Sequence, residues 1–96
     1  MNKKTLFSQD MVVLNELGMH ARPAAVIARM TENATGNIWL THGSARVDAS
    51  SIIDLLTLCA VKGSHVVVQV ESVEDKGVMA QIKEFFDIGF GELNNE

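Results

Sequence analysis

Glycines at positions 18, 36, 43, 63 and 89 cut this chain into short apolar segments, and that punctuation restricts its fold more than any other feature. Glycine reaches backbone conformations that are costly for other residues, so it marks where strands and helices stop and turn. Residues 4–14 carry Leu6, Phe7, Met11, Val12, Val13 and Leu14 without a helical period, which predicts a strand running into the turn at Gly18. In residues 21–31, Ala24, Ile27, Ala28 and Met30 recur at helical spacing, with Arg29 and Glu32 outside the stripe. Residues 37–42 and 45–49 flank Gly43-Ser44 and read as a hairpin. Ile52, Ile53, Leu55, Leu56, Leu58 and Cys59 predict a second helix closed by Gly63, and the valine-dense residues 64–72 predict a central strand. Glu74 and Asp75 suit the start of a third helix, whose Val78, Met79, Ile82, Phe85 and Phe86 share one face before Gly89 ends it.

The order is therefore β-α-β-β-α-β-α. Helices with one apolar stripe and strands with one buried side imply an α+β fold, its helices packed over a mostly antiparallel sheet. A chain of 96 residues, 47% hydrophobic and 21% charged, has material for one core, so residues 1–96 are expected to form a single domain. Its longest apolar runs, such as Val66-Val67-Val68, are too short to span a bilayer, and the first ten residues lack the apolar core of a signal peptide. No membrane insertion and a cytoplasmic location are expected. A net charge of −4, with eight basic residues dispersed, offers no stripe for a nucleic-acid backbone. Cys59, the single cysteine, reads as a small apolar side chain inside the second helix. His42 and His65 lie in strands without acidic partners at ligand spacing, so no metal and no cofactor is expected. Gly89-Phe90-Gly91 follows a helix instead of a strand and does not suit a dinucleotide loop.

One segment reads as chemistry. Gly18-Met19-His20-Ala21-Arg22-Pro23-Ala24-Ala25 places a titratable nucleophile beside a fixed cation where a helix begins. Histidine has an unperturbed pKa of about 6.5, so it offers a neutral ring nitrogen near neutrality, and the phosphoramidate it forms is labile enough to be handed on. Amides opening a helix have no internal partner and point the positive end of the dipole outward, which favours a phosphate. Arg22 adds a planar guanidinium matched to phosphate geometry. Pro23 suits a first turn because it has no amide to leave unpaired. Proline also disfavours helical geometry in the residue before it, so the helix starts either at Ala21 or at Pro23 with Arg22 as its cap.

A histidine and an arginine two residues apart are common; the wider match makes the segment specific. Leu17-Gly18-Met19-His20-Ala21-Arg22-Pro23-Ala24-Ala25 resembles the active-site segment of HPr, the histidine phosphocarrier family of the bacterial phosphoenolpyruvate-dependent phosphotransferase system. Ser51-Ile52-Ile53-Asp54-Leu55-Leu56-Thr57-Leu58 and Lys62-Gly63 resemble that family's second helix and following turn, at matching separation from the histidine. The resemblance implies an open-faced β-sandwich, a four-stranded antiparallel sheet covered on one face by three helices. It implies that His20 carries phosphate on Nδ1, received from phosphorylated Enzyme I and passed to an EIIA-type acceptor. Arg22 and Ala21 would bind the phosphate and Pro23 would set the geometry. The protein would then be a monomeric substrate of two partners, with a phosphohistidine intermediate and no stand-alone turnover. Residues 15–24 and the ending Phe86-Asp87-Ile88-Gly89-Phe90-Gly91-Glu92 are more similar to the nitrogen-related branch than to sugar-transport carriers.

Ser51 carries two readings. It precedes the second helix with Asp54 three residues on, the spacing of a capping box. It also matches the position at which many family members are phosphorylated by HPr kinase/phosphorylase, which leaves an alternative role as a regulatory module switched at Ser51 that binds a transcription factor or kinase. Met19, Ala21, Ile52 and Ile53 are expected to form an apolar docking patch, with Arg22 and Arg29 at its rim and one of the two isoleucines buried.

Overall fold

The computed structural model describes residues 6–93. Strands β1 (Phe7–Val12), β2 (Ile38–His42), β3 (Ala45–Asp48) and β4 (His65–Val70) form one antiparallel sheet in the order β1-β4-β2-β3. Helices α1 (Ala21–Met30), α2 (Ile52–Leu56) and α3 (Lys76–Asp87) cover one face of it. β4 is central, as its valine content predicts: Val68 lies opposite Gln9 of β1 and Leu40 of β2. Its side chains alternate, with Val66, Val68 and Val70 fully buried beneath the helices and His65, Val67 and Gln69 on the open face. Met11, Leu40, Ile27, Leu55, Ile82 and Phe86 complete the core, each large side chain contributing roughly 1.5–3 kcal/mol through removal from water.

Three expectations need correction. The second helix stops at Leu56 instead of continuing to Gly63, and the core contacts pass from Leu55 to Leu58 and Ala60 in the irregular segment beyond. Cys59 therefore lies outside the helix, left-handed at φ 52 and exposed. His65 does meet an acid: its Nδ1 lies 3.1 Å from Asp10 Oδ2 on the neighbouring strand, a pairing that sequence spacing could not display because it crosses the sheet. His42, by contrast, is a packed imidazole whose Nδ1 meets the Leu58 carbonyl at 3.0 Å.

The segment before α1 is braced from behind. Val13 donates to Ser64 O and Gly63 donates back to Val13 O, at 3.0 and 2.8 Å, while Met19 donates to Ala60 O at 2.9 Å. Gly18 makes this approach possible, because it is left-handed at φ 67 and a β-carbon there would sit 2.5 Å from the Ala60 carbonyl oxygen. The turn after α2 thus fixes where the histidine segment stands. At the far end of α1, the buried carboxylate of Asp75 accepts the amides of Thr35 and Gly36 at 2.9 and 2.8 Å, tying the α1–β2 connection to the start of α3.

Candidate functional site

α1 begins at Ala21, with His20 as its N-cap in extended backbone geometry. Arg22 thus lies inside the first turn even though Pro23 follows it, and the buried Pro23 ring packs where an amide would have had no partner. The Ala24 amide bonds the His20 carbonyl at 3.1 Å, but the amides of Ala21 and Arg22 meet no acceptor among the described residues. The His20 side chain does not cap the helix. Its ring turns instead toward the C-terminal turn, where Nε2 lies 2.7 Å from Glu92 Oε2. Nδ1 has no hydrogen-bond partner among the described residues.

Arg22 converges on the same carboxylate. Its Nε donates to Glu92 Oε2 at 3.1 Å, Nη2 donates to that oxygen as well, and Nη2 also reaches the Phe90 carbonyl at 2.5 Å. The other carboxylate oxygen, Oε1, accepts Asn15 Nδ2 at 2.8 Å. Asn15 is itself fully buried and uses the same amide nitrogen to bond Gly18 O at 3.0 Å, so the loop before the histidine and the carboxylate share one anchor. Burial raises the cost of ionising Glu92, yet hydrogen bonds from Arg22, Asn15 and His20 outweigh it and bring its pKa down to about 2. Glu92 is therefore an anion throughout the neutral range.

Glu92 arrives through backbone geometry. Gly89, Phe90 and Gly91 are all left-handed, at φ 60, 58 and 77, and they reverse the chain after α3 toward the start of α1. Phe90 holds this unfavourable conformation because its ring is locked in the core, with centroids 5.0 Å from Phe85 and 4.9 Å from Phe86. Sequence reasoning missed Asn15, Phe90 and Glu92 as parts of the site. The paired glycines were the only local signal of a sharp turn, and nothing local says what that turn faces.

The other expected site residues separate into two groups. Ala21 is exposed beside His20, whereas Met19 is 6% exposed and belongs to the core, because its amide bond to Ala60 draws the side chain inward. Met19 is not part of a docking surface. Ile52 and Ile53 are 41% and 70% exposed, so neither is buried: α2 is too short to carry its first turn under the core, and Leu55 alone provides its buried contact. Arg29, Ser51, Ile52 and Ile53 line one open cleft between α1 and α2, together with Ala25, Ala28 and Glu32. Ser51 is the N-cap of α2, its Oγ accepting the Asp54 amide at 3.2 Å. The reciprocal arm of a capping box is not made, since the Ser51 amide donates to Asp48 O at 3.1 Å.

A partly exposed imidazole with one engaged nitrogen, a guanidinium alongside and helix amides that meet no acceptor among the described residues lie together on the surface of an open-faced sandwich. Comparison with known proteins places the chain in a family. Residues 7–87 match the family model described as the PTS HPr component phosphorylation site. The chain is 34% identical over 82 residues to a phosphocarrier protein HPr of Chlamydia pneumoniae, covering 85% of this chain and 76% of that one. It is 31% identical over 85 residues to a phosphocarrier protein NPr of Klebsiella oxytoca, covering 88% and 94%. The crystal structure of HPr from Thermoanaerobacter tengcongensis superposes with a TM-score of 0.84 at 24% identity, over 92% of this chain and 99% of that one, and shows the shared fold. The chain belongs to the HPr family, and its role is that of a phosphocarrier in the phosphotransferase system. Among the described residues no helix is long and apolar enough to cross a membrane.

Proposed function

We propose that His20 is the phosphate's carrier residue, accepting the group on Nδ1 from phosphorylated Enzyme I and passing it to an EIIA-type acceptor in the cytoplasm. The observation that carries this reading is the division of labour on the ring: Nε2 is held at 2.7 Å by Glu92 while Nδ1 meets no partner among the described residues. Arg22 and the open amides of Ala21 and Arg22 supply positive potential for the phosphoryl oxygens, and Pro23 fixes the backbone that presents them. A carrier must release what it binds. A surface site with one guanidinium and a helix end stabilises a phosphoryl group moderately, which suits a protein that is itself a substrate. The exposed Ile52 and Ile53, with Arg29 beside them, form a docking surface for both partners, and the protein works as a monomer.

Incubation with phosphoenolpyruvate and Enzyme I tests the assignment. Acid-labile phosphate is expected on the wild-type protein and none on His20→Ala; phosphate retained by that variant would sink it.

Ser51 supports a second reading, because it lines the same cleft as the docking isoleucines and is half-buried. A phosphate there would place about −1.5 to −2 charges on that surface and repel an acidic partner. Ser51→Asp should then weaken transfer from Enzyme I while leaving an isolated His20 reaction intact; equal transfer by both proteins would leave Ser51 as a cap only. The resemblance of residues 15–24 and 86–92 to the nitrogen-related branch, with an NPr protein among the relatives, supports a place there, checked by which EIIA-type acceptor discharges the phosphorylated protein faster.

A further inference from the structure

Glu92 lies 72 residues from His20 in sequence and outside the part of the chain that matches the family model, yet it touches both functional side chains. A carboxylate held as an anion can only accept hydrogen bonds, so in the neutral ring the proton must reside on Nε2 and the lone pair on Nδ1. We infer that Glu92 is a positioning residue for phosphoryl transfer, which fixes the reactive tautomer of His20 and compensates the positive charge its ring acquires when Nδ1 bonds phosphorus. This inference rests on the proposed role of His20.

The charge balance makes the need concrete. As Nδ1 donates its lone pair to phosphorus, the bond from phosphorus to the donor's nitrogen breaks and that nitrogen keeps the electron pair. The Nε2 proton stays in place, so a neutral imidazole becomes an imidazolium bearing a phosphoryl group. A carboxylate 2.7 Å from Nε2 strengthens its hydrogen bond as that charge grows and weakens it again as the group departs. The stabilisation is thus greater in the transition state than in the resting ring. Arg22 and Asn15 keep the carboxylate in place: Oε2 takes the arginine while Oε1 is anchored by the buried amide at 2.8 Å. The left-handed turn at Gly89, Phe90 and Gly91 supplies the approach, and Phe90 pins it to the core.

Phosphoramidate is a suitable probe because it needs no docking protein: as a zwitterion it loses ammonia and transfers its phosphoryl group, with no further reactant. Glu92→Gln keeps an oxygen that can accept Nε2–H but removes the charge, whereas Glu92→Ala removes both. Charging of His20 is expected to slow roughly tenfold in Glu92→Gln and further in Glu92→Ala, the scale of a lost charge-assisted hydrogen bond. In nitrogen-15 spectra of the ring, the wild-type protein should show one Nε2-protonated form, Glu92→Gln should retain it, and Glu92→Ala should show exchange between tautomers. Thermal melts identify any variant that fails to fold, in which case Glu92→Asp, whose shorter side chain withdraws the charge from Nε2, replaces it. A fall of fivefold or more in a folded variant supports the inference. A smaller change, or faster charging because the carboxylate chiefly repels the incoming group, overturns it. Absence of acid-labile phosphate on the wild-type protein, with phosphoramidate and with Enzyme I alike, overturns the His20 assignment itself.

Discussion

The two helices on either side of the open cleft lined by Arg29, Ser51, Ile52 and Ile53 begin in opposite ways. α2 is closed at its N-terminus by Ser51, whose hydroxyl accepts the Asp54 amide at 3.2 Å. α1 has a histidine at the same structural position and no side-chain cap, leaving the amides of Ala21 and Arg22 without acceptors among the described residues. A good N-cap is worth about 1 kcal/mol, so α1 forgoes a stabilisation that α2 keeps. The difference suits the role proposed for the uncapped end. A helix that satisfies its own first amides has little to offer an anion, while one that leaves them open beside Arg22 can take a phosphoryl group arriving from outside.

Substitutions should break this contrast by decreasing amounts. His20→Ala is expected to abolish charging altogether, because among the described residues no other group at the α1 end is a comparable nucleophile; chemical charging of Ser51→Ala by phosphoramidate, which bypasses docking, should stay within about twofold of wild type. Arg22→Ala is expected to slow charging by roughly ten- to a hundredfold, through loss of the one guanidinium at the open end. Equal rates for Arg22→Ala and wild type would mean that helix amides alone suffice. Ser51→Ala should instead lower stability by about 1 kcal/mol, a fall in melting temperature of roughly 4–8 °C for a domain of this size. An unchanged melting curve would show that α2 does not depend on its cap.

The smallest effect concerns acid. Glu92 has a folded pKa lowered from 4.5 to about 2, so the unfolded chain binds its proton first as pH falls. The stabilisation it provides is complete above pH 4.5 and is lost progressively as pH falls toward 2. Glu92→Gln should therefore be less stable than wild type at pH 7, and the gap should close as pH drops through that window. A constant gap from pH 7 to 2 would show that folding leaves the Glu92 pKa unchanged.

Much of the fold was legible because it depends on local pattern. Valine density placed β4 at the centre of the sheet, and the 3.6-residue period placed α1 and α3. The second helix was harder: its apolar residues continue past Leu56, but the chain leaves helical geometry there while Leu58 and Ala60 still fill the core. Apolar pattern reports burial, and burial does not require a helix. For the same reason Ile52 and Ile53 could be placed on α2 but not correctly between core and solvent, and Met19 could not be assigned to the core without its bond to Ala60.

Within the candidate site, His20, Arg22 and Pro23 lie together in sequence, so their grouping at a helix start was legible, but only the wider resemblance through Ser51 and Gly63 made it specific. Glu92 and Asn15 reach that start only through folding. The left-handed run at Gly89, Phe90 and Gly91, held by Phe90 in the core, turns the chain back to bring one carboxylate onto both His20 and Arg22. The sequence by itself determined that a histidine and a cation stand together at the start of a helix, since these are consequences of neighbouring residues. Only the tertiary structure decided that α1 would stay uncapped and that the ring's second nitrogen would be held by an anion, because those depend on contacts across some seventy residues, roughly the whole length that folding must close.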